Sequence, residues 1–91
     1  MSAIIKSAVS GSTENGDCYI EISPNASGLN VDIHSTLILQ FGDKIKQTVN
    51  EVLSDCGVQN ATVMIDDHGA LDWILRARLE TAVGRAKEEA K

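Results

Sequence analysis

The spacing of apolar residues in this chain of 91 residues changes period near residue 40, and that change decides which folds the chain can adopt. In residues 18–23 and again in residues 29–34, apolar side chains alternate with polar ones, which predicts strands with one buried face. Beyond residue 40 the apolar positions recur in steps of three and four, at Phe41, Ile45, Val49, Val52 and Cys56. This second spacing predicts the buried face of a helix.

Turn residues separate these elements. Asn15-Gly16 is a strong hairpin signal, because both residue types tolerate a positive φ. It predicts an exposed turn between a strand in residues 3–10 and the strand that begins at residue 18. Residues 24–28 are predicted to be a loop between the two alternating strands, and Gly57 suits the end of the helix.

The last third of the chain supports two interpretations. Val63 and Ile65 alternate with polar neighbours, which predicts a strand that stops at the polar turn 66–69. Residues 71–77 alternate as a strand would, yet the apolar residues from Leu71 onward also recur at helical spacing. Because the tight turn favours a hairpin, we expect a strand over 70–76 and a helix over 78–88; one continuous helix is the alternative.

These elements predict an α+β fold made of a small antiparallel sheet of about four to five strands, with hairpins, covered by two helices. The predicted strands exclude a four-helix bundle. A chain of this length folds as one small domain, since a shorter piece would bury too little apolar surface. We therefore expect residues 1–91 to form a single domain.

Composition excludes several classes of partner and compartment. The formal net charge of −5 disfavours nucleic acid, because phosphate backbones are bound through clustered Lys and Arg. No apolar run approaches the roughly 20 residues that cross a bilayer, and the first residues lack the order of a signal peptide. Cys18 and Cys56 show no metal-like spacing, so we expect free thiols in a cytoplasmic protein.

Few side chains are arranged for catalysis. His34 and His68 have no partner at metal-ligand spacing, which predicts no metal site. Asp66 and Asp67 are adjacent in a predicted turn, where Asp usually accepts local hydrogen bonds. A stand-alone enzyme is therefore the weakest of the hypotheses for this chain.

Arg76 and Arg78 are the best candidates for contacting a phosphate or a partner protein. Residues two apart on a strand share a face, and guanidinium groups match phosphate oxygens bidentately. The alternative is a solvent-exposed face or an ion pair with Asp72.

Three segments carry a family resemblance that spans nearly the whole chain. They are Gly11-Ser12-Thr13-Glu14-Asn15-Gly16-Asp17, Gln40-Phe41-Gly42-Asp43 and the stretch from Asp66 to Glu80. In their order and spacing they resemble the acyl carrier (gamma) subunit of citrate lyase, which cleaves citrate to acetate and oxaloacetate. The resemblance implies a non-catalytic carrier that works with a transferase (alpha) subunit, a lyase (beta) subunit and a prosthetic-group transferase.

The resemblance also implies a cofactor, 2'-(5''-phosphoribosyl)-3'-dephospho-CoA, joined to a serine through a phosphodiester and holding acetyl or citryl as a thioester. Asn15 stands where the family has that serine, and an amide offers no hydroxyl for the bond. Three accounts are open: an alteration that keeps the chain unmodified, a natural homologue that has lost or moved the attachment, or use of Ser12 or Thr13. Trp73 stands where close relatives are expected to have cysteine.

Two neighbouring hypotheses remain beside the citrate lyase carrier. The carrier subunit of citramalate lyase would share the prosthetic group and differ in its partners. A plain interaction or scaffold module would need no prosthetic group, and Asn15 makes it more plausible. Co-purification with two larger subunits would favour a carrier, whereas unrelated partners would favour the scaffold.

Overall fold

The computed structural model describes residues 4–36 and 38–87; residues 3 and 88, which belong to predicted elements, lie outside this part. The elements run in the order β1 Ala8–Gly11, β2 Cys18–Pro24, β3 Leu29–Ser35, α1 Ile38–Asp55, β4 Ala61–Asp67 and α2 Asp72–Lys87. The strands form one mixed sheet in the order β1-β2-β4-β3, and both helices pack on one of its faces. The predicted α+β class is confirmed.

Strand alternation places the core between the sheet and the helices. Ile20 and Ile22 of β2 and Val63 and Ile65 of β4 are all buried, while the residues between them face the other side of the sheet. Helix α2 closes this layer with a stripe at helical spacing, formed by Leu75, Leu79, Ala82, Val83 and Ala86. Each fully buried Ile, Leu or Val side chain contributes roughly 1.5 to 3 kcal/mol, so this layer is the main source of stability.

The expected antiparallel sheet is corrected at one pair of strands. β4 pairs antiparallel with β2 but parallel with β3, and it separates β3 from β2 although these two follow each other in the chain. Parallel neighbours cannot be joined by a tight turn and need a crossover connection. Helix α1 is that crossover, so β3, α1 and β4 form one βαβ unit.

The prediction of a strand over 70–76 was wrong. Residues 72–87 form one continuous helix, which was the alternative interpretation. The main-chain oxygen of Leu71 accepts hydrogen bonds from the amides of Ile74 and Leu75, both at 3.0 Å. β4 already has a neighbour on each edge, so a strand following residue 69 could not pair beside it. Leu71 and Trp73 are not part of the buried face of a strand, since these residues are 62% and 67% exposed.

Helix α1 keeps most of its predicted face. Val49 and Val52 are buried and Cys56 is half-buried, but Phe41 is exposed, so the buried stripe starts at Ile45. The helix ends at Asp55, and Gly57, the residue predicted to suit its end, follows with φ +72°. In the described part of the chain, no helix is long and apolar enough to span a membrane.

Candidate functional site: the β1–β2 turn and its cleft

The turn that joins β1 to β2 begins at a position that only glycine can occupy. Gly11 has φ +84°, and a Cβ built on it would lie 1.8 Å from the carbonyl oxygen of Cys18. The next residue continues the ladder, because the Ser12 amide donates to that same oxygen at 3.1 Å. The close approach of the two strands here determines where the turn starts.

Asn15 lies at the exposed apex of this turn, as predicted. The Asp17 amide donates to the Glu14 carbonyl oxygen at 3.0 Å, and Gly16 has φ +83°. Among the described residues, no residue other than glycine has a positive φ, so Asn15 keeps an ordinary backbone. A positive φ at the third position alone is the pattern of a type II turn, where the sequence had suggested positive φ at both central residues.

The apex is anchored to the end of β4. The Gly16 amide donates to the His68 carbonyl oxygen at 2.7 Å, and the His68 amide donates to the Asp17 carbonyl oxygen at 2.9 Å. The turn is therefore held on both sides of Gly16, while Asn15 is exposed.

The Asp17 carboxylate organises the turn. It accepts hydrogen bonds from the Ser12 hydroxyl at 2.8 Å and from the Cys18 amide at 2.8 Å. Arg78 of α2 binds it with two nitrogens, Nε to Oδ1 at 3.0 Å and Nη2 to Oδ2 at 3.3 Å. The Arg78 hydrogen bonds, together with those from Ser12 and Cys18, lower the Asp17 pKa from 3.8 to about 2. The turn is thus tied to α2 by a permanently charged pair.

Arg76 and Arg78 do not share a face, which corrects the expectation based on a strand. Residues two apart on a helix point about 200° apart. Arg76 binds Asp72 through Nε at 2.8 Å and Glu51 of α1 through Nη2 at 2.9 Å. Only Arg78 lies beside the turn, so a phosphate contact by Arg78 stays a prediction and Arg76 serves the contact between the helices.

The hydroxyls near Asn15 differ in availability. The Ser12 hydroxyl donates to Asp17 and accepts from the Glu14 amide at 3.3 Å, and Ser12 is half-buried. Thr13 is exposed. Of the two predicted alternatives to Asn15, Thr13 carries the more accessible hydroxyl.

A cleft of about 330 Å³ separates the turn from α2. We call it the turn cleft; it is lined by Asn15, Gly16, Asp17, Trp73, Ile74, Ala77 and Arg78. Sequence reasoning missed it, because Trp73 and Ala77 were assigned to a strand and its end. The signal that could have revealed it is the helical spacing of residues 73, 74, 77 and 78, which puts them on one side of a helix.

The acidic and histidine candidates have structural roles. Asp67 is buried; its Oδ1 accepts from the Ala70 amide at 3.0 Å, as expected for a turn, and its Oδ2 accepts from the Ser35 hydroxyl at 2.7 Å. His34 Nε2 lies 3.0 Å from Asp32 Oδ2 on the surface. His68 Nε2 lies 3.2 Å from Asp66 Oδ1 without the alignment of a hydrogen bond. Within residues 4–36 and 38–87, no cluster of three or more His, Cys, Asp or Glu could hold a metal ion.

Neither cysteine is activated. Cys18 and Cys56 are free thiols, as predicted. Burial, with the nearby charges of Asp17 and Asp67, raises the Cys18 pKa to about 12, and burial also raises the Cys56 pKa. Both therefore remain protonated at neutral pH and are poor nucleophiles.

A known protein family matches nearly the whole chain. The family model described as "ACP: Malonate decarboxylase delta subunit (MdcD)" matches residues 5–86. The chain belongs to this acyl carrier family. The β1–β2 turn of this acyl carrier protein lies at its surface, with Thr13, Glu14, Asn15 and Gly16 exposed.

Curated relatives carry the citrate lyase name and match this acyl carrier protein over most of its length. The citrate lyase acyl carrier protein of Enterobacter sp. (strain 638) is 44% identical over 86 residues, covering 94% of this chain and 89% of that protein. That of Treponema denticola is 43% identical, covering 94% of this chain and 98% of that protein. The family that the sequence resembles is therefore confirmed.

A solved structure confirms the fold. A chain in the crystal structure of a Pseudomonas malonate decarboxylase hetero-tetramer in complex with malonate superposes with a TM-score of 0.77. The match covers 94% of this acyl carrier protein and 92% of that chain at 22% sequence identity. At that identity the likeness concerns the fold alone.

Proposed function

We propose that this acyl carrier protein is the carrier subunit of a citrate lyase-type complex, acting as one domain over residues 1–91. The observation that carries the proposal is the near-full-length identity to proteins named citrate lyase acyl carrier protein. The exposed apex at Asn15, held rigidly by Asp17, Arg78 and His68, supports it. A tethered group leaving from such an apex would reach partner active sites at high effective concentration.

The proposed cofactor is 2'-(5''-phosphoribosyl)-3'-dephospho-CoA, which would supply the thiol that carries the acyl group. The residue at the apex does not fit its covalent attachment. Asn15 offers an amide, which cannot form a phosphodiester, so this position is proposed to stay unmodified. Thr13 is the accessible hydroxyl two residues away, and Ser12 is held by Asp17.

The proposed partners are a transferase (alpha) subunit, a lyase (beta) subunit and the prosthetic-group transferase. The names of the relatives and the hetero-tetrameric assembly of the structural relative support this set. With both thiols free, the reducing cytoplasm is the proposed compartment. The chain itself would do no bond chemistry; its side chains position the turn.

A second candidate function is favoured by Asn15 itself. A family member without a hydroxyl at the apex could occupy the carrier's place in a complex as an unmodified interaction module. It would bind the same larger subunits and would not gain the mass of the prosthetic group even as the Asn15→Ser variant.

The experiment that separates these proposals is the intact mass of the chain after co-expression with the enzymes that build and attach the group. Four forms are compared: the unaltered chain, Asn15→Ser, Thr13→Ala and the double variant. Because Asn15 has an ordinary backbone conformation, a serine there is expected to keep the turn intact. We expect Asn15→Ser to gain the group and the unaltered chain to stay unmodified.

The other outcomes assign the site differently. If the unaltered chain gains the mass and Thr13→Ala does not, attachment is at Thr13. If the unaltered chain and Thr13→Ala both gain it, peptide mapping should place the group on Ser12. If no form gains it, binding of the unaltered chain to purified alpha and beta subunits of citrate lyase decides. Binding would support the interaction module, and absence of binding would overturn the citrate lyase proposal.

A further inference from the structure

The turn cleft presents an exposed aromatic face. Trp73 is the single tryptophan of the chain, and its side chain is 67% exposed although it lies in the first turn of α2. Ile74 and Ala77 continue the same wall as an apolar surface. An exposed indole beside apolar side chains is a platform on which a planar ring can stack.

A guanidinium group with spare donors borders the same cleft. Arg78 uses two of its N–H groups on Asp17. Because a guanidinium has five N–H donors, three remain. The bidentate bond to Asp17 restricts the rotation of the Arg78 side chain, so less conformational entropy is lost when a second anion binds. Asn15, on the opposite wall, adds an amide that can both donate and accept.

We propose that the turn cleft binds a nucleoside phosphate, with the base on Trp73 and the phosphate at Arg78. A cleft of about 330 Å³ lies at the small end of ligand sites, which begin near 300 Å³, and this suits one nucleotide. The binding itself needs no covalent bond at Asn15. That the cellular ligand is the nucleotide end of the coenzyme A-type group rests on the proposed function.

The test uses the unmodified chain and three probes: AMP, adenosine and inorganic phosphate. Trp73 is its own reporter, because a stacked adenine quenches indole fluorescence, and excitation at the red edge of the indole band avoids absorption by the probe. We expect saturable quenching by AMP, weaker binding of adenosine because it lacks the Arg78 contact, and no quenching by phosphate alone.

A matched pair of variants locates the site. Ala77→Glu places a bulky carboxylate inside the cleft, and Thr81→Glu places the same charge one turn further along α2, on an exposed residue outside it. We expect Ala77→Glu to raise the Kd for AMP by about tenfold or more, and Thr81→Glu to change it less than about twofold. Circular dichroism should show that both variants keep the fold.

A third variant removes the platform. For Trp73→Leu, binding is followed by amide shifts in nuclear magnetic resonance spectra, and we expect residues 15–17 and 77–78 to lose the AMP-dependent shifts seen in the unaltered chain. The absence of saturable quenching by AMP, or equal effects of Ala77→Glu and Thr81→Glu, would overturn the proposal. If AMP binds but Asn15→Ser never gains the prosthetic group, the cleft assignment stands and the carrier proposal fails.

Discussion

Arginines on two sides of helix α2 form ion pairs with different parts of the molecule. Arg78 lies on the side of the β1–β2 turn (the turn side), and Arg76 lies on the side of α1 (the helix side). On the turn side, Arg78 binds Asp17, which is 17% exposed and also accepts bonds from Ser12 and Cys18. On the helix side, Arg76 bridges Asp72 and Glu51, whose side chains are 44% and 46% exposed. The difference lies in the carboxylates, since Asp17 is less exposed to water than Asp72 or Glu51, and water screens an exposed carboxylate more strongly.

The helix side has a buried component of its own. Thr48 of α1 is fully buried, and its hydroxyl donates to Asp72 Oδ1 at 2.5 Å. This bond, followed by those from Arg76, lowers the Asp72 pKa. A neutral buried hydroxyl therefore joins α1 to α2, while on the turn side a charged pair joins α2 to a loop. The two sides of α2 therefore differ in the part of the molecule that they bind and in the exposure of their carboxylates.

The largest expected loss of stability comes from a substitution at Gly11, where the β1–β2 turn begins. Gly11→Ala forces a Cβ against the Cys18 carbonyl oxygen and a non-glycine residue into positive φ. We expect the free energy of unfolding to fall by about 3 to 4 kcal/mol, measured by urea denaturation. Gly16→Ala is the control: it also has a positive φ but open space around it, and it should cost about 1 to 2 kcal/mol. Equal losses would contradict the role of the close approach.

The next largest loss of stability is expected from removing the hydrogen bond between Thr48 and Asp72 on the helix side. Thr48→Val keeps the shape of the buried side chain and removes its hydrogen bond to Asp72. We expect a loss of about 1.5 kcal/mol in the free energy of unfolding, because Asp72 is partly exposed and can bind water instead. Thr81→Val on the exposed surface of α2 should change stability little. A neutral result for Thr48→Val would show that the two helices do not depend on this bond.

The smallest expected effect is the pH dependence of stability that Asp17 contributes on the turn side. Because the folded Asp17 pKa is depressed from 3.8 to about 2, its stabilisation is present above about pH 4 and is lost as the pH falls towards 2. We expect about 1 kcal/mol after allowing for solvent screening, and Asp17→Asn should abolish this part of the pH dependence.

A pH titration of Asp17, followed by nuclear magnetic resonance at its carboxyl carbon, tests whether Arg78 causes the lowered pKa. Arg78→Gln should raise the Asp17 pKa, whereas Arg76→Gln, on the other side of α2, should leave it near 2. If both variants shift it equally, the field of the whole helix and not the Arg78 contact depresses the pKa.

Hydrophobic spacing predicted an element correctly where the spacing fits only one kind of secondary structure. The alternation in residues 18–23 and the stripe from Ile45 to Cys56 each fit a single structure, and the structure confirms them. Residues 71–77 fit two structures. The choice between them depended on whether an edge of β4 was free, which is a tertiary fact that no window of residues contains.

The same limit applies to the candidate site. Asn15 was placed correctly at an exposed turn, because Asn-Gly acts locally. The anchoring of that turn was not predicted, because Asp17 and Arg78 are 61 positions apart and meet only once α2 packs on the sheet. The parallel pairing of β3 and β4 likewise follows from the path of α1 and not from the composition of either strand.

The position of β4 inside the sheet has a consequence for the order of events during synthesis. The ribosome releases β2 and β3 long before residues 61–67. Strand β2 can pair with β1 at once, but β3 has no neighbouring strand until β4 arrives between β2 and β3. Long-range pairing of this kind slows folding and leaves strand edges exposed in the meantime. The His68 contacts that shape the apex also form only at that stage. An enzyme that recognised the folded turn would therefore have to act after β4 and His68 have joined the sheet.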